Sequence, residues 1–139
     1  VRNELLRTHP IRLEGVARRT RHASHPVVCR QAQRVTFDGS YNVSPRISPD
    51  GKLLAYIARN GGKFQVATLD LATRQTQVLT DSDKDESPSF APNGRMLLLA
   101  TVNGGRGVLS AVSSDGRIKQ RITIPAGDVR EPAWGPFVK

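Results

Sequence analysis

The chain has 139 residues, a formal net charge of +9, and only 37% hydrophobic and 5% aromatic side chains. That length suits one ordinary domain, and no run approaches the ~18 apolar residues of a membrane-crossing helix, so membrane insertion is not expected. The positive charge suggests nucleic acid, but residues 1–30 carry +5 of it and residues 31–139 carry +4 on scattered side chains. Without a basic stripe interleaved with aromatics, no nucleic-acid partner is expected.

Residues 1–30 stand apart. They hold seven Arg, no Lys, all three histidines (His9, His22, His25) and the single cysteine, Cys29, while all five lysines lie at Lys52 or later. A lone cysteine makes no internal disulfide, and the segment lacks the compact apolar core of a secretory signal. "LRTHPIRLEGVARRT" admits a short helix with weak caps, and the segment is otherwise irregular. Its composition fits a basic arm, a disordered extension, or a stretch of non-native coding sequence joined to a real one. The domain boundary is expected near Gln31, with an atypical segment over 1–30 and one repeated domain over 31–139.

The repeat is explicit. "SPRISPDGKLLAYIARNGGK", starting at Ser44, aligns without a gap on "SPSFAPNGRMLLLATVNGGR", starting at Ser87. Pro45, Pro49, Gly51, Gly61 and Gly62 thereby fall on Pro88, Pro92, Gly94, Gly104 and Gly105. "EPAWGPF" begins a third copy, with Pro132, Trp134 and Pro136 over Pro88, Phe90 and Pro92. Upstream, "RVTFDGSYNVS" matches "VLTDSDKDES" and "RITIPAGDVRE", the ends of later units.

One unit reads as four short strands. "SPRIS" is extended because proline disfavours helix. "PDG" turns tightly, "LLAYIA" is an apolar strand, and "RNGG" signals a hairpin whose Asn-Gly suits a type I′ turn. "KFQVATLDL" follows, with a slip expected between Val66 and Leu69, and "TQVLT" closes the unit. The second unit repeats this through "PSF", "MLLLATV", "GVLSAV" and "KQRITI". Hairpin turns are expected at Asp50-Gly51, Asn93-Gly94 and Asp115-Gly116. Four strands per repeat of this length is the arithmetic of a propeller blade. "MLLLA" is apolar on both pleat faces, so both must be covered. The fold class is therefore all-β, a partial β-propeller with two complete four-stranded antiparallel blades, about 44–80 and 87–124, plus edge strands. A β-sandwich strings short strands together too, but it does not explain the identity between units.

Catalytic patterns are missing from residues 31–139. There is no "GxSxG" elbow, and every histidine lies in the first segment, so no serine triad can assemble from the repeats. No His/Cys cluster offers zinc a site. "DSDKDE" opens like a calcium loop, but Glu86 and Pro92 occupy the positions that need Gly and Glu. It reads as a solvated acidic loop, with a weaker cation site as the alternative. "GGRG" at 104–107 opens no helix and makes no phosphate cradle. No cofactor is expected.

What remains is surface. The connections between units, 38–44, 81–87 and 125–131, occupy equivalent places in consecutive blades and are expected side by side on one rim. They offer Tyr41, Asn42, Asp85, Glu86, Ser87, Arg130 and Glu131, a polar set with one aromatic that suits docking of a protein partner.

At "ISPDGKLLAYI", "SFAPNGRMLLLA", "SSDGRIKQRIT" and "EPAWGPF" the chain resembles the TolB family, specifically the C-terminal part of its six-bladed propeller, over about residues 31–139. The resemblance implies a non-enzymatic periplasmic scaffold of the Tol–Pal cell-envelope system. It implies roles in outer-membrane integrity, cell division and colicin import, with the peptidoglycan-associated lipoprotein Pal as partner. Residues 1–30 do not match. The alternative is the propeller portion of a prolyl-oligopeptidase-like peptidase.

Overall fold

The computed structural model describes residues 12–13 and 33–136. In chain order the strands are β1 (Arg12–Leu13), β2 (Gln33–Arg34), β3 (Asn42–Ile47), β4 (Leu53–Asn60), β5 (Lys63–Asp70), β6 (Thr76–Val78), β7 (Glu86–Phe90), β8 (Met96–Asn103), β9 (Arg106–Ser113) and β10 (Lys119–Ile122). β3-β4-β5-β6 and β7-β8-β9-β10 are two antiparallel four-stranded meanders, the two expected blades. Where the sequence admitted a short helix, Arg12–Leu13 is instead extended and pairs antiparallel with Gln33–Arg34. The rest of that candidate helix, and the composition boundary near Gln31, lie outside the described residues.

Both long hairpins close on Gly-Gly, one residue later than the Asn-Gly reading. Asn60 pairs with Lys63 and Asn103 with Arg106, so each Asn ends a strand and the two glycines make the turn. Gly61 and Gly62 have φ of 55° and 87°, and Gly104 and Gly105 have 58° and 79°. A type I′ turn needs positive φ at both central residues. The slip expected in β5 is absent, because β4 and β5 pair without interruption from Leu53↔Asp70 to Asn60↔Lys63. The irregularity sits instead in the first strand of each blade, between Val43 and Arg46 and between Glu86 and Ser89.

The turns at the opposite edge form where the sequence places them. Gly51 N–H donates to the Ser48 carbonyl at 2.9 Å, and Ser48 N–H donates to the Leu53 carbonyl at 2.9 Å. The Asp50 carboxylate accepts from the Ser48 hydroxyl at 2.6 Å and from Lys52 N–H at 3.1 Å. Asp115 repeats this with the Ser113 hydroxyl and Arg117 N–H. At the middle turn Asn93 Oδ1 takes the carboxylate's place, accepting from Arg95 N–H at 3.0 Å.

The core lies between the blades. Ala55, Ile57, Val66 and Leu79 of the first pack against Phe90, Leu97, Leu99 and Val112 of the second. The other face of the first blade buries Leu54, Tyr56, Ala67 and Leu69, with Val35 packed on it. β4 is thus covered on both faces, as its unbroken apolar run demands. Position by position, Leu109 and Ile122 of the second blade match Val66 and Leu79 of the first. Val66 and Leu79 are buried, whereas Leu109 and Ile122 are half-buried and line a 330 Å³ cavity on the outward face. That face therefore has the composition of an inter-blade surface.

Leu97→Ala empties a site with no solvent exposure and should cost about 2–5 kcal/mol. Val78→Ala, at a half-exposed edge position, should cost under about 1 kcal/mol. Urea unfolding midpoints of the two variants check both. The Asp50 and Asp115 carboxyls are held below their ordinary 3.8, first by the serine hydroxyl and then by the backbone N–H. A depressed folded value means that their contribution is whole above the unfolded value and drains away as pH falls through the folded one. The melting temperature should fall on acidification below about pH 4, and fall less in Asp50→Asn/Asp115→Asn, which keeps the acceptor that Asn93 supplies naturally.

Candidate interaction surface

In a four-stranded meander the connection to the next blade emerges at the same edge as the hairpin between the second and third strands. The linkers 38–44, 81–87 and 125–131 therefore share an edge with the Gly-Gly hairpins, opposite the Asp-Gly and Asn-Gly turns. Backbone hydrogen bonds fasten them there. Phe64 N–H donates to the Asp83 carbonyl at 2.9 Å, and Asp85 N–H donates to the Phe64 carbonyl at 2.8 Å. In the next unit Val129 N–H donates to the Gly107 carbonyl at 3.1 Å, at the matching position. A Cβ on Gly107 would lie 2.5 Å from the Val129 carbonyl oxygen, which explains why glycine stands where the first unit has Phe64.

Adjacent linkers are joined by side chains. The Tyr41 ring meets the Phe64 ring edge-on, with centroids 5.6 Å apart and planes at 78°. Phe64 is itself bracketed by the backbone of 83–85, so it connects the first linker to the second. The Arg59 guanidinium stands 5.9 Å from the same ring. The second linker reaches the third through Arg130 Nη1 and Glu86 Oε1, 3.8 Å apart with both side chains substantially exposed. An exposed pair of that length holds little energy, ~0–1 kcal/mol, and leaves both groups available.

Two residues expected at the surface turn inward. Asp85 is 4% exposed. Its carboxylate accepts from the hydroxyls of Thr80 and Ser82 and from Val66 N–H. It spends its acceptors on its own loop, so it shapes the edge without offering a charge. Asn42 is likewise buried, and its side-chain amide donates to the Asp38 carbonyl at 3.0 Å. Tyr41 and Ser87 are half-buried and Glu131 is exposed.

Ser44, Ser87 and Glu131 carry a feature that composition gave no reason to expect. Their φ values are 54°, 51° and 46°, the left-handed region that non-glycine residues seldom occupy. They stand at equivalent places in three consecutive units, and each precedes a proline. The first two lie within the register shifts of β3 and β7. Backbone strain of this kind concentrates at functional sites. The recurring residue-proline pair at the head of each unit does not signal it, because proline biases the residue before it toward extended backbone. Phe64 and Arg59 were missed because they read as strand periodicity and a hairpin shoulder.

The acidic loop does not converge on a cation. Asp81 pairs with Lys119 at 3.2 Å, Asp83 pairs with Lys63 at 2.8 Å, and Asp85 points inward. Hydrogen bonding from Lys119 holds the Asp81 carboxyl below its usual range, and Asp83 raises Lys63.

A sequence profile of the family described as the TolB beta propeller domain matches residues 25–138. The Tol-Pal system protein TolB of Nitrosospira multiformis is 63% identical over 110 residues, covering 79% of this chain and 25% of that protein. The Azoarcus sp. protein of the same name is 69% identical over 83 residues, 60% of this chain and 19% of its own length. The crystal structure of TolB from Acinetobacter baumannii superposes with a TM-score of 0.71 at 44% identity, covering 77% of this chain and 27% of that one. This chain thus spans about a quarter of these relatives.

Asp85→Ala should cost about 1–3 kcal/mol, because it strips the Thr80 and Ser82 hydroxyls of their acceptor. Ser82→Ala, which removes only one of those donors, should cost less. Chemical denaturation of the two variants checks the order.

Proposed function

Because the chain belongs to the TolB β-propeller domain family, we propose that it is the propeller part of a non-enzymatic scaffold. It binds a Pal-like peptidoglycan-associated lipoprotein in the periplasm, in a cell-envelope system that serves outer-membrane integrity and division. The observation that carries this reading is the continuous linker edge. Tyr41–Phe64 and Glu86–Arg130 join three consecutive linkers into one surface. The surface has a rigid aromatic, exposed charges of both signs and a strained residue at the head of each unit. Tyr41, Glu86, Ser87, Arg130 and Glu131 are its contact residues, while Asn42 and Asp85 position the loops. The shared name of the high-identity relatives supports this reading over a peptidase propeller.

Glu86 and Glu131 accept from basic groups of the partner, and Tyr41 supplies area that costs little entropy to bury. Glu86→Lys, placed in the complete propeller of a relative, should weaken lipoprotein binding by about 1–3 kcal/mol with little change in melting temperature, provided the carboxylate is desolvated in the complex. Calorimetric titration beside a thermal melt measures both. Unchanged affinity in charge reversals at both Glu86 and Glu131 would move the docking surface elsewhere on the propeller.

A further inference from the structure

The chain contains three Asn-Gly pairs, at 60–61, 93–94 and 103–104. All three asparagines are exposed, yet their surroundings differ in what matters for amide chemistry. We propose that Asn60 and Asn103 are sites of spontaneous deamidation that write new carboxylates onto the linker edge, whereas Asn93 is protected. The idea does not depend on what binds at that edge.

In this reaction the backbone nitrogen after the asparagine, having lost its proton, attacks the side-chain Cγ. A C–N bond forms, the side-chain nitrogen leaves as ammonia, and a five-membered imide results. Water then opens the imide at either carbonyl, giving aspartate or isoaspartate. Only water is consumed and only ammonia is released. Glycine as the following residue removes the Cβ that would obstruct the attack.

Two groups must be free, the glycine N–H and the asparagine side chain. At Asn93 both are engaged. Gly94 N–H donates to the Ala91 carbonyl at 2.8 Å, and Asn93 Oδ1 accepts from Arg95 N–H at 3.0 Å. Imide formation there has to break both bonds. Among the described residues, neither the N–H of Gly61 or Gly104 nor the side-chain amide of Asn60 or Asn103 makes a hydrogen bond.

The position of the two open sites gives the change a consequence. Both lie at the linker edge, and each faces a cation across its hairpin, since Asn60 pairs with Lys63 and Asn103 with Arg106. Lys63 holds Asp83 of the second linker, and Arg106 donates to the Gly127 carbonyl of the third. A carboxylate at 60 or 103 competes for the side chain that ties each linker down. Isoaspartate additionally lengthens the backbone at the last paired residue of the strand and breaks its ladder partner.

The test is incubation of the intact folded chain in mildly alkaline buffer, followed by peptide mapping for the amide-to-acid mass change and isoaspartate-specific methylation. A parallel sample in denaturing urea is the control for local sequence. In the folded chain, Asn60 and Asn103 should convert at least about tenfold faster than Asn93, the factor expected from one net hydrogen bond. In urea the three rates should converge. Conversion of Asn93 at the rate of the other two in the folded chain would overturn the proposal. So would absence of conversion at Asn60 and Asn103 while the urea sample converts.

Discussion

The structure depends on central strands that are apolar on both faces. Leu54 and Tyr56 point to one side of β4, and Ala55 and Ile57 to the other, all buried. A single sheet cannot hide two faces, so it has to be sandwiched between neighbours. Stacking the second blade on the first hides Ala55, Ile57 and Val66 beneath Leu97, Leu99 and Val112. Each fully buried Leu or Val contributes about 1.5–3 kcal/mol relative to exposure. Because the pattern recurs every 43 residues, the second blade presents the same kind of face outward, and Leu109 and Ile122 wait there at the positions of Val66 and Leu79.

Stacking also limits where a partner can dock. Where both faces of a blade are occupied, as in the first blade, only the two edges and the outer strand meet solvent. One edge carries short turns saturated by their own Ser, Asp and Asn side chains. The other carries the linkers, which must cross from the last strand of one blade to the first of the next. To make that crossing the chain adopts left-handed φ at Ser44, Ser87 and Glu131 and commits the carboxylate of Asp85 to its own loop. The linker edge therefore carries the left-handed residue at the head of each unit beside the solvent-accessible charges of Glu86, Arg130 and Glu131.

Much of this was readable in the sequence, because blade turns use few residue types. Asp50-Gly51, Asn93-Gly94 and Asp115-Gly116 gave the turns, and the aligned units gave the strands between them. Register was less readable. Asn60-Gly61 looked like the turn, but a second glycine moved it on by one residue. Leu69 and Leu71 suggested a slip because spacing alone does not reveal that both faces of β5 are covered. At the candidate surface, a polar linker residue looks the same in sequence whether it serves a partner or its own backbone. Asp85 and Asn42 proved to do the latter. Ser44 and Ser87 gave no hint of positive φ, since serine is not a marker for it as glycine is. Phe64 hid inside a strand pattern.

The central claim is that partner binding belongs to the linker edge. Hydrogen–deuterium exchange on a complete propeller of the family, with and without the peptidoglycan-associated lipoprotein, tests it most directly. The account predicts slowed exchange in the segments equivalent to 38–44, 81–87 and 125–131, with the turns equivalent to 48–53, 91–96 and 113–118 unchanged. Protection confined to those turns, with the linkers exchanging as freely as in the unbound protein, would contradict it.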